Sequence, residues 1–519
     1  MGHFVDDSSF LRWIMDAHSS VVNSVCLYDT TLRDGSQQEG MALSVEDKLK
    51  IAHLLDKLGV PFIEGGWPGA NPKDGQFFER LKADPLVCSE IVAFSSTRRP
   101  GVRAEAEGMF VPILAAETRW VTLFGKSWDL HVTESLKTSL DENLAMIEDS
   151  VAFLTSQGRR VIYDAEHWFD GYQANPAYAL ETLKVAIAAG AEWLVLCDTN
   201  GGSLPTDVAR MVGAVLQDLQ PTPLSKSIQL GIHAHNDGGM AAANSVLAVQ
   251  QGVQMVQGTI NGYGERCGNA NLCTVVPNLQ FKLGYPCLPP GNIAELTTVS
   301  RLVSEIVNLA PNEQAPFVGA SAFAHKGGIH VSAVQRNPVT YEHIDPQRVG
   351  NRRRIVVSEQ SGISNVLEKA NHFGFPLAKG NPISRQVLSQ LKQLESEGYQ
   401  FEAADASFEL LIREALNQRP SFFALKGFDI YCRGHQVERS DVLSSTVMAT
   451  VKVMVNDQEM LTAAEGNGPI SALDAALRKS LVNFYPIIAE FQLTDYKVRI
   501  LDGKAGTSAK TRVLVESSN

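Results

Sequence analysis

Short apolar runs alternate with longer stretches of helical periodicity over the first 300 residues of the chain. The eight runs recur roughly every 30 to 40 residues, which is the length of a strand, a helix and two loops. They lie at residues 25–28, 62–65, 91–94, 120–124, 161–163, 193–197, 228–232 and 255–260. Eight such units predict an α/β fold, a (β/α)8 TIM barrel. A doubly wound open sheet is the alternative, but no glycine-rich dinucleotide turn follows the first run.

The stretches between the runs carry helix signals, and residues 44–59 are an example. Ser44 is a candidate N-cap with Asp47 three residues later, and Gly59 stands where the helix is expected to end. The pattern changes after about residue 300. We therefore expect a barrel domain over 22–300, a mostly helical and basic linker region over 301–395, and a small α+β domain over 396–519. The last contains a predicted strand at 446–455 and a predicted helix at 470–481.

Bulk composition limits the classes of function. A chain of 519 residues is long enough for two or three domains. Its net charge of −12 argues against nucleic acid or an anionic membrane as the main partner. The seven cysteines form no C-x-x-C motif, and no 18-residue apolar span or basic leader is visible. These features predict a cytoplasmic protein.

Candidate metal ligands follow two of the predicted strands. Arg33 and Asp34 come after the first run, and the motif His233-Ala-His235 follows the seventh. Alternate side chains of a strand share one side, so the two histidines can reach one ion together. With Asp34, and with Asn269 in the turn after the eighth run, they predict a divalent cation site. This mixture of oxygen and nitrogen ligands suits Mg²⁺, Mn²⁺ or Zn²⁺.

Two further charged residues are candidates for catalysis. Arg33 could stabilise negative charge that develops on oxygen, although a structural ion pair is the plainer interpretation. Glu166 follows the fifth run, at the end of the predicted strand, and could transfer a proton, or it could simply begin the following helix. Both lie where TIM barrels place their active sites, at the carboxyl ends of the strands. Other polar residues at such positions are Glu64, Asp198 and Thr199.

With these residues assembled, the chain resembles the DRE-TIM metallolyase family, which includes the 2-isopropylmalate, homocitrate and citramalate synthases. The resemblance rests on three blocks that occur in the family's order, residues 32–35 (LRDG), 233–237 (HAHND) and 262–271 (GYGERCGNAN). Three other blocks, 64–74, 124–134 and 163–171, are similar to the citramalate synthase branch. One of them has Gly66-Trp67-Pro68 where isopropylmalate synthases usually carry a Gly-Phe-Pro-like turn.

The resemblance implies an acyltransferase that performs a metal-dependent Claisen condensation. Acetyl-CoA, pyruvate and water would give (R)-citramalate and CoA, as a step of isoleucine biosynthesis. Isopropylmalate or homocitrate synthase, with the same chemistry on another 2-oxoacid, is the nearest alternative. A lyase that runs the bond cleavage, and a catalytically silent metabolite sensor, are more distant alternatives.

The resemblance also implies roles for single residues. Asp34, His233, His235 and Asn269 would bind the metal, and Arg33 would stabilise the alkoxide or enolate. Thr199 would contact the 2-oxoacid carboxylate. Glu166 would act in acid–base catalysis together with two residues of the linker region, His330 and Tyr341.

In the family, the linker elements pack over the barrel of the partner subunit, so the resemblance implies a homodimer. For residues 396–519 it implies a regulatory and dimerisation domain with an amino-acid effector, expected to be isoleucine.

Overall fold

The structure is a computed structural model that describes residues 24–219, 229–402, 404–436 and 443–518. These residues form two compact units. The first extends to residue 324 and includes 342–354, and the second comprises 325–341 and the residues from 355 onward. The domain limits 22–300, 301–395 and 396–519 stay a prediction, and residue 22 lies outside the described residues.

The first unit contains a closed barrel of eight parallel strands, in which neighbours pair in chain order and the last strand pairs with the first. The strands are β1 (Cys26–Asp29), β2 (Phe62–Gly66), β3 (Glu90–Ser96), β4 (Trp120–Lys126), β5 (Arg160–Glu166), β6 (Trp193–Asp198), β7 (Gln229–Ala234) and β8 (Met255–Gly258). The predicted TIM barrel is confirmed, and the open sheet is excluded. Ile228, the first residue of the predicted seventh run, lies outside the described residues.

Helices surround this barrel. They are α1 (Val45–Leu58), α2 (Pro72–Ala83), α3 (Phe110–Ala115), α4 (Leu140–Ser156), α5 (Trp168–Ala174), α6 (Pro176–Ala189), α7 (Pro205–Asp218), α8 (Ala241–Gln250), α9 (Leu272–Pro277) and α10 (Leu296–Ile306). The predicted capping of α1 is confirmed. The Ser44 hydroxyl accepts a hydrogen bond from the Asp47 N–H, and the Asp47 carboxylate accepts one from the Ser44 N–H. Gly59 ends the helix in the left-handed region, at φ 87°.

Apolar side chains close the lower part of the barrel. The interior cluster consists of Tyr28, Phe62, Val92, Trp120, Ile162, Trp193, Val195, Cys197 and Met255. Burial of one large apolar side chain stabilises the fold by about 1.5–3 kcal/mol. Because these side chains pack against one another, this layer of the barrel is a filled core and not a pore. Because it fills the barrel interior, a small molecule can reach the polar residues only from the carboxyl mouth.

The second unit combines helices with two small antiparallel sheets. Its helices are α11 (Gly328–Arg336), α12 (Ile363–His372), α13 (Pro382–Ser396), α14 (Asp405–Ala415) and α15 (Pro469–Leu481). Two-residue strands, β9 (Ala324–His325) and β10 (Arg354–Ile355), lie where the chain passes between the units. One sheet contains β11 (Ala424–Gln436), β12 (Leu443–Val455) and β13 (Gln458–Gly466), and the other contains β14 (Gln492–Ile500) and β15 (Thr511–Ser518).

Three clusters of buried apolar side chains lie in the described part of the second unit, one among its helices and two between its three-stranded sheet and α15. Helices α12 to α14 share a core that includes Val366, Val387 and Phe408. Helix α15 packs on the three-stranded sheet through a core that includes Val451 and Ala476. The predicted C-terminal α+β domain, with its strand and its helix, is therefore confirmed.

In the part of the chain that the structure describes, every helix is too short or too polar to cross a bilayer.

Candidate active site

A cavity of about 270 Å³ opens at the carboxyl ends of the barrel strands. Every strand, or the loop that follows it, contributes to its lining. The lining residues are Arg33, Asp34, Gln37, Trp67, Phe94, Phe124, Asp164, Glu166, Cys197, Thr199, His233, His235, Glu265 and Arg266. This is the end of the barrel at which TIM-barrel enzymes hold their active sites.

Three side chains in this cavity face one another with ligand-type atoms. Asp34 Oδ2 lies 3.1 Å from His233 Nε2 and 3.7 Å from His235 Nε2, and the two Nε2 atoms are 3.3 Å apart. All three residues are buried, and their candidate ligand atoms lie within 4.8 Å of one another. The structure therefore brings together three of the four residues predicted to hold a divalent cation.

Asn269 supplies an independent test of whether a cation fits here. Asn269 pairs with His235 through an isolated antiparallel bridge, which brings the two backbones side by side. Its amide Nδ2 donates to the carbonyl of Tyr263, at 3.1 Å, so the opposite end of the amide is oriented. Among the described residues, Asn269 Oδ1 is buried without a hydrogen-bond partner. A buried unpaired carbonyl is costly unless it has a ligand, so the donor set fits a cation.

The electrostatics of these groups are coupled. Burial would raise the pKa of Asp34, but Arg33 and the two histidines hold this pKa far below the usual range. Burial and the neighbouring His233 lower the pKa of His235 to about 4, so its imidazole is neutral at pH 7. Burial opposes the charged form of His233 as well, yet the hydrogen bond and charge of Asp34 raise its pKa. The site thus presents an ionised carboxylate beside a neutral imidazole.

Arg33 is held by a buried glutamate. Its Nε donates to Glu64 Oε2 at 2.5 Å, and its guanidinium lies 3.7 Å from the centroid of the Phe94 ring. Glu64 is fully buried and also accepts a hydrogen bond from the hydroxyl of Tyr28, at 2.8 Å. Arg33 NH1 remains 3.6 Å from Asp34 Oδ1. Arg33 therefore forms a structural ion pair with Glu64, and its guanidinium also lies beside Asp34, a candidate metal ligand.

Glu166 lies at the end of β5 and forms an ion pair with Lys126 of β4. The two residues are register partners in neighbouring strands, which brings their side chains to the same edge of the barrel. The cavity wall continues with Thr199, whose hydroxyl oxygen accepts a hydrogen bond from the His167 N–H at 2.9 Å. The hydroxyl hydrogen of Thr199 is therefore left to donate to a bound anion.

Three aromatic rings form one wall of the cavity. Phe94 and Phe124 stack with their centroids 5.3 Å apart, and Trp67 meets each of them edge-on at 5.9 Å. We call these three residues the aromatic wall. It lies on the same side of the cavity as Arg33, whose guanidinium covers Phe94.

His330 and Tyr341 belong to the second unit. Their rings lie with centroids 4.3 Å apart, and both residues are exposed. The structure thus brings these two predicted catalytic residues together, and their roles stay a prediction. The other seven predicted site residues all lie in or beside the barrel mouth.

Reasoning from the sequence missed several residues of the site. Glu64 was noted only as a strand-end carboxylate, and neither Lys126 nor the aromatic wall received a role. Alternation along β4 offered one signal, because it places Phe124 and Lys126 on the same side of the strand. No local signal connects Glu64 to Arg33, because that ion pair depends on how β1 and β2 align.

A barrel that holds a buried carboxylate and two histidines at its mouth, flanked by an arginine and a glutamate, defines a metal-dependent TIM-barrel enzyme. Comparison with known proteins agrees. The HMGL-like family model matches residues 24–303, the homocitrate synthase post-HMGL domain-like model matches 317–398, and the LeuA allosteric (dimerisation) domain model matches 402–519.

Curated relatives cover nearly the whole chain. An (R)-citramalate synthase of Synechocystis sp. is 66% identical over 96% of this chain and 91% of its own length. An (R)-citramalate synthase of Aquifex aeolicus is 50% identical over 96% of this chain and 93% of its own length. A 2-isopropylmalate synthase of Synechocystis sp. is 30% identical over 92% of this chain and 88% of its own length. The chain therefore belongs to the HMGL-like family, in the branch of the (R)-citramalate synthases. The resemblance and the enzymatic role predicted from the sequence are confirmed.

Proposed function

We propose that this protein condenses acetyl-CoA with pyruvate and water to give (R)-citramalate and CoA. The observation that carries the proposal is the single cavity that joins a cation-binding set to Arg33, Glu166 and Thr199. The names of the most similar relatives support the same product. The alternative is the reaction of the 2-isopropylmalate synthases, on a larger 2-oxoacid, because a relative of that name also matches most of the chain.

Asp34, His233 and His235 would hold the divalent cation, with Asn269 Oδ1 as a fourth ligand. Mg²⁺, Mn²⁺ and Zn²⁺ all accept such a set. When bound, the cation would act as a Lewis acid on the keto group of the 2-oxoacid. Thr199 would donate its hydroxyl hydrogen to the carboxylate of the same substrate. Pyruvate would then lie between the cation site and the β6 loop.

Arg33 acts on the charge that develops in the reaction. As the new carbon–carbon bond forms, the keto oxygen of pyruvate gains negative charge and becomes an alkoxide. A guanidinium that Glu64 already holds in place stabilises this charge without reorganising at the moment of reaction. The contact with the Phe94 ring restricts the guanidinium further.

Glu166 is the candidate base. Its carboxylate would take one proton from the methyl group of acetyl-CoA, and the resulting carbanion equivalent would attack the keto carbon of pyruvate. A proton then returns to the alkoxide oxygen, and water cleaves the thioester to release CoA. Lys126 keeps Glu166 paired and oriented at the strand end before the substrates bind.

His330 and Tyr341 complete the acid–base group in this proposal, and they would act on the barrel of a partner subunit in a homodimer. The match of the LeuA allosteric (dimerisation) domain to residues 402–519 supports a dimer. So do the apolar side chains that the two-stranded sheet of the second unit exposes, namely Leu493, Val498, Ile500 and Val515.

The same domain would bind an amino-acid effector, which we infer to be isoleucine. The enzyme would supply isoleucine biosynthesis in the cytoplasm.

The aromatic wall supports pyruvate over branched 2-oxoacids. Its three rings contact one another, so none of them can move aside without leaving a gap. Exclusion of one or two methyl groups by such a wall discriminates by about 10- to 200-fold per group. Pyruvate, which carries only one methyl group, needs less room than 2-oxoisovalerate or 2-oxoglutarate.

Release of the CoA thiol from acetyl-CoA tests the proposal. The assay compares pyruvate, 2-oxoisovalerate and 2-oxoglutarate, each with Mg²⁺ or Mn²⁺. We expect the highest kcat/KM with pyruvate and no release after treatment with a chelator. Preference for 2-oxoisovalerate would establish the alternative, and folded, metal-loaded protein without release on any 2-oxoacid would contradict both.

A further inference from the structure

The two histidines of the cavity differ in how their second ring nitrogen is held. Nδ1 of His233 lies at hydrogen-bond distance, 2.8 Å, from Gln257 Oε1. Among the described residues, Nδ1 of His235 is buried without a hydrogen-bond partner. Strand β8 explains the difference, because Gln257 is the register partner of His233 in β7 and no residue of β8 stands beside His235 in the same way. The imidazole of His233 is therefore held by a hydrogen bond at Nδ1, and among the described residues the imidazole of His235 is not.

Gln257 is itself oriented by a third residue. Its amide Nε2 donates to Asp164 Oδ1 of β5 at 3.0 Å. All three residues are buried, with 4% of Asp164, 0% of Gln257 and 5% of His233 exposed. Burial raises the pKa of Asp164 to about 7, and the ionised carboxylate can only accept a hydrogen bond, so this form selects the NH₂ end of the glutamine amide. The oxygen end must then face His233.

This orientation decides the tautomer of His233. An amide oxygen can only accept, so the hydrogen of the neutral imidazole must sit on Nδ1. The lone pair is then on Nε2, the atom that lies 3.1 Å from Asp34 Oδ2 and faces the candidate cation site. If the glutamine amide were reversed, its NH₂ group would favour the tautomer with hydrogen on Nε2, which cannot bind a cation.

We infer that Gln257 and Asp164 are positioning residues for the divalent cation, because together they hold His233 in the tautomer and ring orientation that bind it. The inference rests on the proposed function in one respect, that His233 is a cation ligand. The glutamine transmits the orientation without adding a charge next to Asp34 and His233. Loss of such outer partners of a ligating histidine typically weakens metal binding about 10- to 100-fold.

Calorimetric titration of the full-length, chelator-treated protein with Mn²⁺ tests this inference. We expect Gln257→Leu and Asp164→Leu to weaken Mn²⁺ binding by about 10- to 100-fold. Asp164→Asn retains an oxygen that accepts from Gln257, so we expect its affinity to stay within about twofold of the unmodified protein. This pair of Asp164 variants separates the orientation of the amide from the loss of a buried side chain.

Thr122→Val is the matched structural control. It removes a different buried hydrogen bond of the barrel interior, the one at 2.7 Å to the Tyr28 hydroxyl, and touches neither histidine. We expect its Mn²⁺ affinity to be unchanged. If Gln257→Leu does not fold, as judged by circular dichroism, Gln257→Met replaces it, because this side chain has nearly the same length.

Three results would overturn the inference while leaving the cation site in place: normal Mn²⁺ affinity in both Gln257→Leu and Asp164→Leu, equal weakening by the two Asp164 variants, or equal weakening by Thr122→Val. Unmodified protein that binds no Mn²⁺ would instead overturn the proposed cation site itself.

Discussion

Replacement of Glu64 tests how far the chemistry of the site depends on a buried ion pair. Glu64→Leu removes the carboxylate that accepts from Arg33 Nε, and leaves the guanidinium with Asp34 as its nearest anion, 3.6 Å away. We expect Arg33 to turn toward Asp34 and away from the position it holds over Phe94. Glu64→Gln keeps one oxygen acceptor and the shape of the side chain, so we expect it to have a smaller effect.

The burial of the Arg33–Glu64 pair determines how large we expect the effects on stability and on kcat to be. Glu64 is fully buried and only 16% of the Arg33 side chain is exposed, so solvent screens the pair weakly. Loss of one partner of a buried pair costs about 3–5 kcal/mol, which we expect for the unfolding free energy in Glu64→Leu. Loss of one hydrogen bond to a charged group costs about 1.5–3 kcal/mol, the range expected for Glu64→Gln. A catalytic group misplaced by about 1 Å lowers the rate roughly 100-fold, so kcat should fall by that factor in Glu64→Leu.

The assay is CoA release at saturating pyruvate and acetyl-CoA, with circular dichroism as the check of folding. Glu107→Leu is the control, because it removes another buried carboxylate that pairs with an arginine, Arg99, away from the cavity. We expect it to lower stability and to leave kcat unchanged. Folded Glu64→Leu protein with a normal kcat would refute the reasoning, because Arg33 would then be placed without its glutamate.

Four further predictions follow from the site. Arg33→Ala should lower kcat by about 100- to 1,000-fold and retain bound metal, measured by elemental analysis; a normal kcat would contradict its role. Mn²⁺ at 100 times its dissociation constant should stabilise the protein by about 2.7 kcal/mol in thermal unfolding, and this gain should vanish in His233→Ala; equal gains would refute the ligand assignment. Trp67→Leu should raise kcat/KM for 2-oxoisovalerate relative to pyruvate by about tenfold, and an unchanged ratio would remove the aromatic wall from substrate selection. Deletion of 396–519 should abolish inhibition by isoleucine in protein that stays folded, and inhibition that survives would place the effector elsewhere.

Reasoning from the sequence found most of the barrel and most of the candidate site, for a local reason. Strands and helices follow from hydrophobic periods of two and of 3.6 residues, which are read within about ten residues. The placement of Asp34, Glu166 and His233 at strand ends is equally local. Because all parallel strands of a barrel end at one mouth, local position alone was enough to gather these residues into one site.

What the sequence could not provide are the pairs that hold those residues in place. Glu64 with Arg33, Lys126 with Glu166, and Asp164 with Gln257 each join residues on different strands.

The sequence by itself determined the number of barrel strands, the caps of α1 and the residue types available at the barrel mouth, because each depends on neighbours along the chain. Only the tertiary structure decided which of those residues meet. Gln257 shows the physical reason: it lies 93 positions from Asp164 and 24 from His233, yet the registers of the barrel strands bring both within hydrogen-bond distance of one amide. A shift of β8 by a single residue would turn Gln257 to the other face of the sheet and break both hydrogen bonds.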